Sequence, residues 1–160
     1  MTGNQHAYAL TTIWTGNRGS GTSGYRDYSR DHEIRMASKP DQVLLGSSDP
    51  TFRGDATRFN PEELLLAALS QCHLLSYLHA CVMAGVVVLD YSDEATGTMI
   101  TTPDGGGHFT EVTLHPVVTI GAGSDPQAAE QAHEAAQSMC FIANSVNFPV
   151  RHESVIKVAD

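Results

Sequence analysis

Three cysteines and eight histidines are the side chains of this sequence with the widest chemical repertoire. A cysteine thiolate is a nucleophile and a metal ligand, and histidine serves as a base or a ligand. Cys72 and Cys81 lie nine residues apart in one apolar segment. At 100° per residue they face opposite sides of a helix and cannot pair. Cys81 is therefore interpreted as a small core hydrophobe.

Cys72 and Cys140 present two alternatives. They lie 68 positions apart, each in apolar sequence of helical character. Both could be core residues, or they could be an attacking and a resolving thiol that packing brings together. Sequence spacing does not decide between these readings. An odd number of widely spaced cysteines does not form a disulfide framework, so any disulfide is expected to be transient and catalytic.

The histidines show no recognisable metal motif. His73 and His79 are six residues apart rather than four, and no C-x-x-C occurs. Cys72 and His73 are adjacent and point about 100° apart on a helix. We therefore expect no metal and no cofactor, and we expect His73 at the helix surface or at the rim of a site. A hydrolase in which a distant histidine activates Cys72 stays an alternative.

A central helix over residues 60–85 must position Cys72. Asn60 is a good N-cap, Pro61 suits the first helical position, and Gly85 is a natural residue just after the end. Glu62 and Glu63 follow in the first turn, where the positive end of the helix dipole stabilises acidic side chains. Between these signals the segment is apolar on most of its circumference. Such a helix is expected to be buried on all sides.

The remaining segments predict an α+β fold of a single domain over residues 1–160, because strands and helices do not alternate regularly. A second helix begins at Ser124-Asp125-Pro126 and continues to about Met139, carrying an alanine stripe at helical spacing. Residues 140–146 are its continuation or a short helix after a kink. Residues 39–59 are expected to be a long polar loop. Strands are predicted at residues 6–14, 32–37, 86–91 and 95–102 (these two as one long strand or two), 109–120 and 150–158.

Composition excludes several partners. The formal charge of -9 argues against nucleic acid or an anionic membrane, since both favour a basic surface. The sequence does not begin with a signal-peptide pattern, and the longest apolar run, residues 80–89, is too short to span a bilayer. We expect a cytoplasmic protein.

The segment from Asn60 to Cys72, NPEELLLAALSQC, resembles the signature of the OsmC/Ohr family (osmotically inducible protein C and organic hydroperoxide resistance proteins). The family pattern is Asn-Pro-Glu with a reactive cysteine ten residues after the glutamate, and Glu62 and Cys72 keep that spacing. A second cysteine in the last third of the chain is matched by Cys140. A buried arginine in the loop before the helix is matched best by Arg53, with Arg58 as the alternative.

This resemblance implies the OsmC-like fold: antiparallel sheets wrapped around a long central helix, in an intertwined two-fold dimer. It also implies a cysteine-based peroxidase that reduces organic hydroperoxides in oxidative-stress defence. Cys72 would form a sulfenic acid and then a disulfide with Cys140, and an external dithiol would reduce that disulfide; dihydrolipoyl groups serve in the family. Arg53 would activate the thiolate and Glu62 would hold the arginine.

Geometry supports the dimer, because ten residues of helix span about 15 Å. Glu62 therefore reaches a Cys72 more easily across a two-fold axis than along its own helix, and C₂ pairs are the commonest oligomers.

The residues that follow the two cysteines depart from the family pattern. His73 stands where an aromatic residue such as Phe is usual, and Phe141 stands where Pro is usual. These departures leave open a second function, in which an OsmC-like dimer binds a hydrophobic ligand or partner with little peroxidase activity.

Overall fold

The computed structural model describes residues 3–160 of the chain, and two compact units divide it. One unit extends to Leu64 and the other covers Leu65–Asp160. The predicted α+β class is confirmed, since helices and several separate sheets occur. The single domain over residues 1–160 stays a prediction.

The first unit contains an antiparallel sheet of three strands in the order β1-β2-β3. The strands are β1 (Leu10–Trp14), β2 (His32–Met36) and β3 (Val43–Gly46), and a 3₁₀ turn follows at Pro50–Phe52. The prediction of a continuous loop over residues 39–59 was wrong, because β3 lies inside it. Three consecutive apolar residues, Val43 and the two leucines after it, pair there with β2. The run is too short to show a periodicity in the sequence.

The central helix α1 (Pro61–Met83) begins and ends at the predicted signals. The Asn60 side chain accepts a hydrogen bond from the Glu63 N–H at 2.8 Å, and the Glu63 carboxylate accepts one from the Asn60 N–H at 3.2 Å. This reciprocal pair is a capping box. Gly85 has a φ of 70°, and the next N–H bonds back to the Cys81 carbonyl at 2.9 Å. A left-handed residue after the last turn ends the helix, as the glycine predicted.

The burial of α1 differs from the expectation. Its inward residues are Leu69, His73, Tyr77, Ala80 and Cys81. The opposite face is open to solvent, with Leu75 65% and Val82 75% exposed. By length and composition α1 could cross a membrane, a criterion that core helices of soluble proteins also meet. The prediction of burial on all sides therefore does not hold within one chain.

The second unit contains two sheets of three strands each, in the orders β4-β7-β9 and β5-β6-β8. In each sheet the first pair is antiparallel, but the last strand pairs in parallel. The predicted antiparallel pairs are present, and each sheet also contains one parallel pair. The strands are β4 (Val88–Asp93), β5 (Thr96–Thr101), β6 (Gly107–Leu114), β7 (Pro116–Ile120), β8 (Val150–His152) and β9 (Val155–Val158).

Each long strand predicted in this unit divides into two that belong to different sheets. The predicted strand 109–120 is interrupted between Leu114 and Pro116. The N–H of His115 donates a hydrogen bond to the Asp93 side chain (Oδ1, 2.7 Å) instead of to a neighbouring strand. Proline lacks the N–H that a strand interior would need, so it stands at the first position of β7. The predicted strand 150–158 breaks in the same way at residues 153–154.

The second helix, α2 (Pro126–Met139), begins where predicted, with the Asp125 side chain as its N-cap. Its buried alanines pack with α1 and with β7 in the main core of the unit. Cys81 belongs to this core, as predicted. After α2 the chain is extended at Cys140 and then forms a 3₁₀ turn at Ala143–Ser145, so the helix does not continue through residues 140–146.

Candidate functional site

Cys72 and Cys140 are neighbours in the structure. The Cys72 thiol lies near enough to raise the pKa of the Cys140 thiol, and both cysteines are free. A smaller core explains this proximity: Leu69, one turn before Cys72, is fully buried and packs in one cluster with Ile142 and Ala143. Burying a leucine side chain contributes about 1.5–3 kcal/mol. This packing holds the segment that contains Cys140 against α1.

The two thiols have different environments. Cys72 is half-buried, whereas Cys140 is only 2% exposed. Burial raises the pKa of the Cys140 thiol to about 11, and the neighbouring Cys72 thiol acts in the same direction. The Ala143 N–H, which donates to Cys140 Sγ at 3.4 Å, opposes this shift only in part. Cys140 is therefore protonated at neutral pH.

Cys72 opens onto a groove of about 660 Å³ between α1 and the end of α2. This volume falls in the range of small-molecule sites, which are typically apolar with a few polar groups. The polar side chains of the groove are Gln71, Ser76 and His79, and its apolar walls are Ala68, Leu75, Met139, Phe141 and Ile142. An apolar molecule that enters the groove therefore meets the sulfur of Cys72.

The predicted arginine and glutamate belong to the first unit. Arg53 is exposed and has a φ of 66°, and the loop's other arginine, Arg58, lies 3.7 Å from Asp55 and 4.0 Å from Asp31. Glu62 Oε2 is buried and has no hydrogen-bond partner among residues 3–160. No ion pair between Arg53 and Glu62 occurs in this described part of the chain. Their pairing, and the burial of Arg53, stay predictions that involve a second copy.

The structure places His73 in the interior, only 2% exposed, so the prediction that it lies at the helix surface or at the rim of a site was wrong. Its Nε2 lies 3.0 Å from Nδ1 of His133, a fully buried residue of α2 whose ring stacks on Tyr77 at 3.9 Å. Burial lowers the pKa of His73 to about 4 and that of His133 to about 3. Both imidazoles are therefore neutral at pH 7 and share one hydrogen bond.

The sequence does carry a signal for this histidine pair. His73 lies four residues after Leu69 and four before Tyr77, so it continues the apolar stripe that faces α2. His133 likewise falls within the buried alanine stripe of α2. Among residues 3–160, no group of three or more His, Cys, Asp or Glu side chains is arranged to hold a metal ion.

The protein therefore has an α+β fold in which Cys72, on the long helix, lines an apolar groove and has the buried Cys140 as a neighbour. The family model of the OsmC-like proteins matches residues 54–154, so the chain belongs to the OsmC-like family. The resemblance of the sequence to this family is thereby confirmed. A search of curated proteins gives no match.

Solved structures of the same fold include proteins of differing description. An OsmC-like protein of unknown function from Vibrio cholerae has a TM-score of 0.83 and 29% identity, covering 94% of this chain and 100% of its own. An organic hydroperoxide resistance protein from Legionella pneumophila has a TM-score of 0.70 and 16% identity, covering 97% and 99%. The organic hydroperoxide resistance protein OhrB of Bacillus subtilis has a TM-score of 0.63 and 17% identity, covering 94% and 98%.

Proposed function

We propose that this protein is a thiol peroxidase that reduces organic hydroperoxides in oxidative-stress defence. The observation that carries the proposal is the proximity of the half-buried thiol of Cys72 to the buried thiol of Cys140. An attacking thiol needs access to substrate, whereas a resolving thiol needs access only to its partner sulfur. The descriptions of the Legionella and Bacillus structures as hydroperoxide resistance proteins point the same way.

In this proposal the Cys72 thiolate attacks the distal peroxide oxygen, and the O–O bond breaks. The products are an alcohol and a sulfenic acid on Cys72. Cys140 then attacks the Cys72 sulfur, which forms a disulfide and releases water. An external dithiol, of the dihydrolipoyl type, returns both cysteines to thiols. The apolar walls of the groove favour alkyl or lipid-like hydroperoxides over hydrogen peroxide.

We further propose that the site is completed in a homodimer. Arg53 would stabilise the Cys72 thiolate and hydrogen-bond the peroxide, because a guanidinium offers several donors in a fixed geometry. Glu62, whose buried oxygen has no donor among residues 3–160, would hold that arginine. The solvent-open face of α1 would be covered by the second copy. We place the protein in the cytoplasm, where such a disulfide would be transient.

Intact mass and thiol counting after one equivalent of cumene hydroperoxide test this function. The wild type is expected to lose two thiols and two mass units rapidly, because one disulfide forms. Cys72→Ser should lose neither, and Cys140→Ser should stop at a sulfenic or sulfinic acid. Cys81→Ser is the matched control, since Cys81 lies in the main core and should leave the reaction unchanged. Oxidation of Cys72 no faster than that of Cys81 would refute the peroxidase.

The groove supports a second candidate, a dimer that binds an apolar ligand without turnover. Its volume of about 660 Å³ would accept a ligand of that kind irrespective of the thiols. A fluorescent fatty acid distinguishes the candidates: binding that survives Cys72→Ser, in a protein that consumes no hydroperoxide, would favour the binding function.

A further inference from the structure

His152, the last residue of β8, lies beside α2 with 13% of its side chain exposed. A second, much smaller cavity of about 10 Å³ has His152, Cys140, Gln137 and His73 among its walls. This volume corresponds to about one water molecule. His152 and Cys140 therefore line the same small cavity, and a general base acts on a proton directly or through one water.

Hydrogen bonds to Gln137 fix which nitrogen of His152 carries the proton. The Gln137 Nε2–H group donates to the Val150 carbonyl at 3.1 Å, and a carbonyl can only accept. The Gln137 amide oxygen therefore faces His152 Nδ1, at 3.2 Å. Because an amide oxygen also only accepts, Nδ1 must be the donor. In the neutral imidazole, Nε2 is then left with its lone pair, which is the form that a base requires.

The surroundings of this ring contain the anion Glu134, two neutral histidines and an arginine that is paired with a glutamate. Glu134 Oε1 lies 3.7 Å from His152 Nε2 and would stabilise a positive charge there. The rings of His73 and His133 stack on His152 at 5.7 and 5.4 Å. Burial keeps the pKa of both these histidines well below neutrality, which makes them poor proton acceptors. The neighbouring Arg151 has its charge paired with Glu111 at 2.7 Å.

The proposed resolving step needs such a base. Burial raises the pKa of Cys140 to about 11, so the thiolate is scarce at neutral pH, and the thiolate is the nucleophile. No Lys or Arg pairs with Cys140 to lower this value among residues 3–160; the opposing groups are backbone N–H donors. A proton acceptor beside the thiol would remove this barrier.

We propose that His152 is the general base of the resolving step, an inference that rests on the peroxidase function proposed above. Its Nε2 accepts the proton of the Cys140 thiol while Cys140 Sγ attacks the sulfenic sulfur of Cys72. The S–S bond forms and the S–O bond of the sulfenic acid breaks. The departing hydroxide takes the proton from His152 and leaves as water. The hydroperoxide consumed in the preceding step is the oxidant, and Gln137 acts as a positioning residue for the imidazole.

Single-turnover kinetics with cumene hydroperoxide test this assignment in full-length protein. Dimedone trapping in quenched samples follows the Cys72 sulfenic acid, and thiol counting follows the disulfide. His152→Gln should form the sulfenic acid at the wild-type rate but the disulfide about 100-fold more slowly at pH 7, the lower end of the range for a positioned base. Added imidazole should restore part of the rate. The defect should shrink as the pH approaches about 11, where Cys140 ionises unaided.

Two further variants keep the test informative if His152→Gln unfolds. Glu134→Gln removes the anion from a side chain that is 80% exposed, and we expect a several-fold slower disulfide step with normal folding. His108→Gln, on the exposed β5–β6 hairpin, is the matched control and should behave as wild type. Equal disulfide rates in wild type, His152→Gln and Glu134→Gln would overturn the assignment, as would a defect insensitive to both imidazole and pH. If the wild type forms no sulfenic acid, the peroxidase itself fails.

Discussion

At the scale of single residues, burial divides the titratable groups around the thiols into two sets. Cys140, His73 and His133 are almost fully enclosed, and burial disfavours their charged forms. Cys72 and His152 keep partial access to solvent. The three enclosed groups are therefore uncharged at pH 7.

The buried histidine pair predicts a loss of stability in mild acid. In the folded chain the pKa values of His73 and His133 are about 4 and about 3, against 6.5 in the unfolded chain. Between pH 6.5 and 4 the unfolded state binds more protons, so the free energy of unfolding falls as the pH falls. The two residues together should give a slope of up to about 2.7 kcal/mol per pH unit. Urea denaturation at pH 7, 6 and 5 measures it.

His73→Gln is the informative variant for this slope, because a glutamine amide can still hydrogen-bond the His133 ring. It should reduce the slope by about 1.4 kcal/mol per pH unit, the contribution of one proton. His108→Gln, at an exposed position, should leave the slope unchanged. A wild-type protein equally stable at pH 7 and pH 5 would contradict neutral burial of the pair.

At the scale of elements, the capping signals of both helices could be read from the sequence, whereas the ends of the strands could not. Asn60 and Asp125 make their hydrogen bonds to groups two or three residues away, so local sequence is sufficient to predict them. The division of the strands at Leu114 and at residues 153–154 depends on which sheet each half joins. That choice is made by distant partners, and a continuous apolar run looks the same in both cases.

The same distinction applies to the candidate site. Cys72 was predicted from a local motif. Its proximity to Cys140 depends on the packing of Leu69 with residues 142–143, which no local pattern shows. His73 was predicted at the surface because it is polar, although its position falls on the buried face of α1. His152 was missed, since its tautomer depends on Gln137, fifteen residues earlier on another element.

The capping box of α1 gives a prediction at this scale. Asn60→Ala removes the side-chain acceptor of the Glu63 N–H and should lower the free energy of unfolding by about 1 kcal/mol. Glu63→Gln should be nearly neutral, because glutamine also completes a capping box. Urea denaturation with an unchanged m-value measures both. A fully neutral Asn60→Ala would show that the box does not stabilise the start of the helix.

At the scale of the whole molecule, one chain leaves much of its longest helix uncovered. Only five of the 23 residues of α1 are buried, and Leu75, Val82 and Met83 are each at least 65% exposed. Contiguous exposed apolar surface of this kind marks interaction sites in soluble proteins. The proposed homodimer would bury it and would bring the first unit of one copy to the thiols of the other.

Val82→Asp tests the proposed homodimer. Val82 is 75% exposed in the single chain, so an aspartate there should not disturb folding of the chain. In the dimer it would place an unpaired carboxylate in an apolar interface, which costs several kcal/mol. Light scattering at micromolar concentration should show a dimer for the wild type and a monomer for the variant. His108→Asp should stay dimeric, and a wild type that is monomeric throughout would refute the proposal.

The backbone at Arg53 carries a consequence for engineering. Its φ of 66° lies in the left-handed region, which costs a side-chain-bearing residue about 1 kcal/mol and suits glycine better. A screen that ranks variants by thermal stability alone would therefore favour Arg53→Gly. If the proposed role of the guanidinium is correct, such a screen would select a more stable protein that has lost the cation needed to stabilise the Cys72 thiolate.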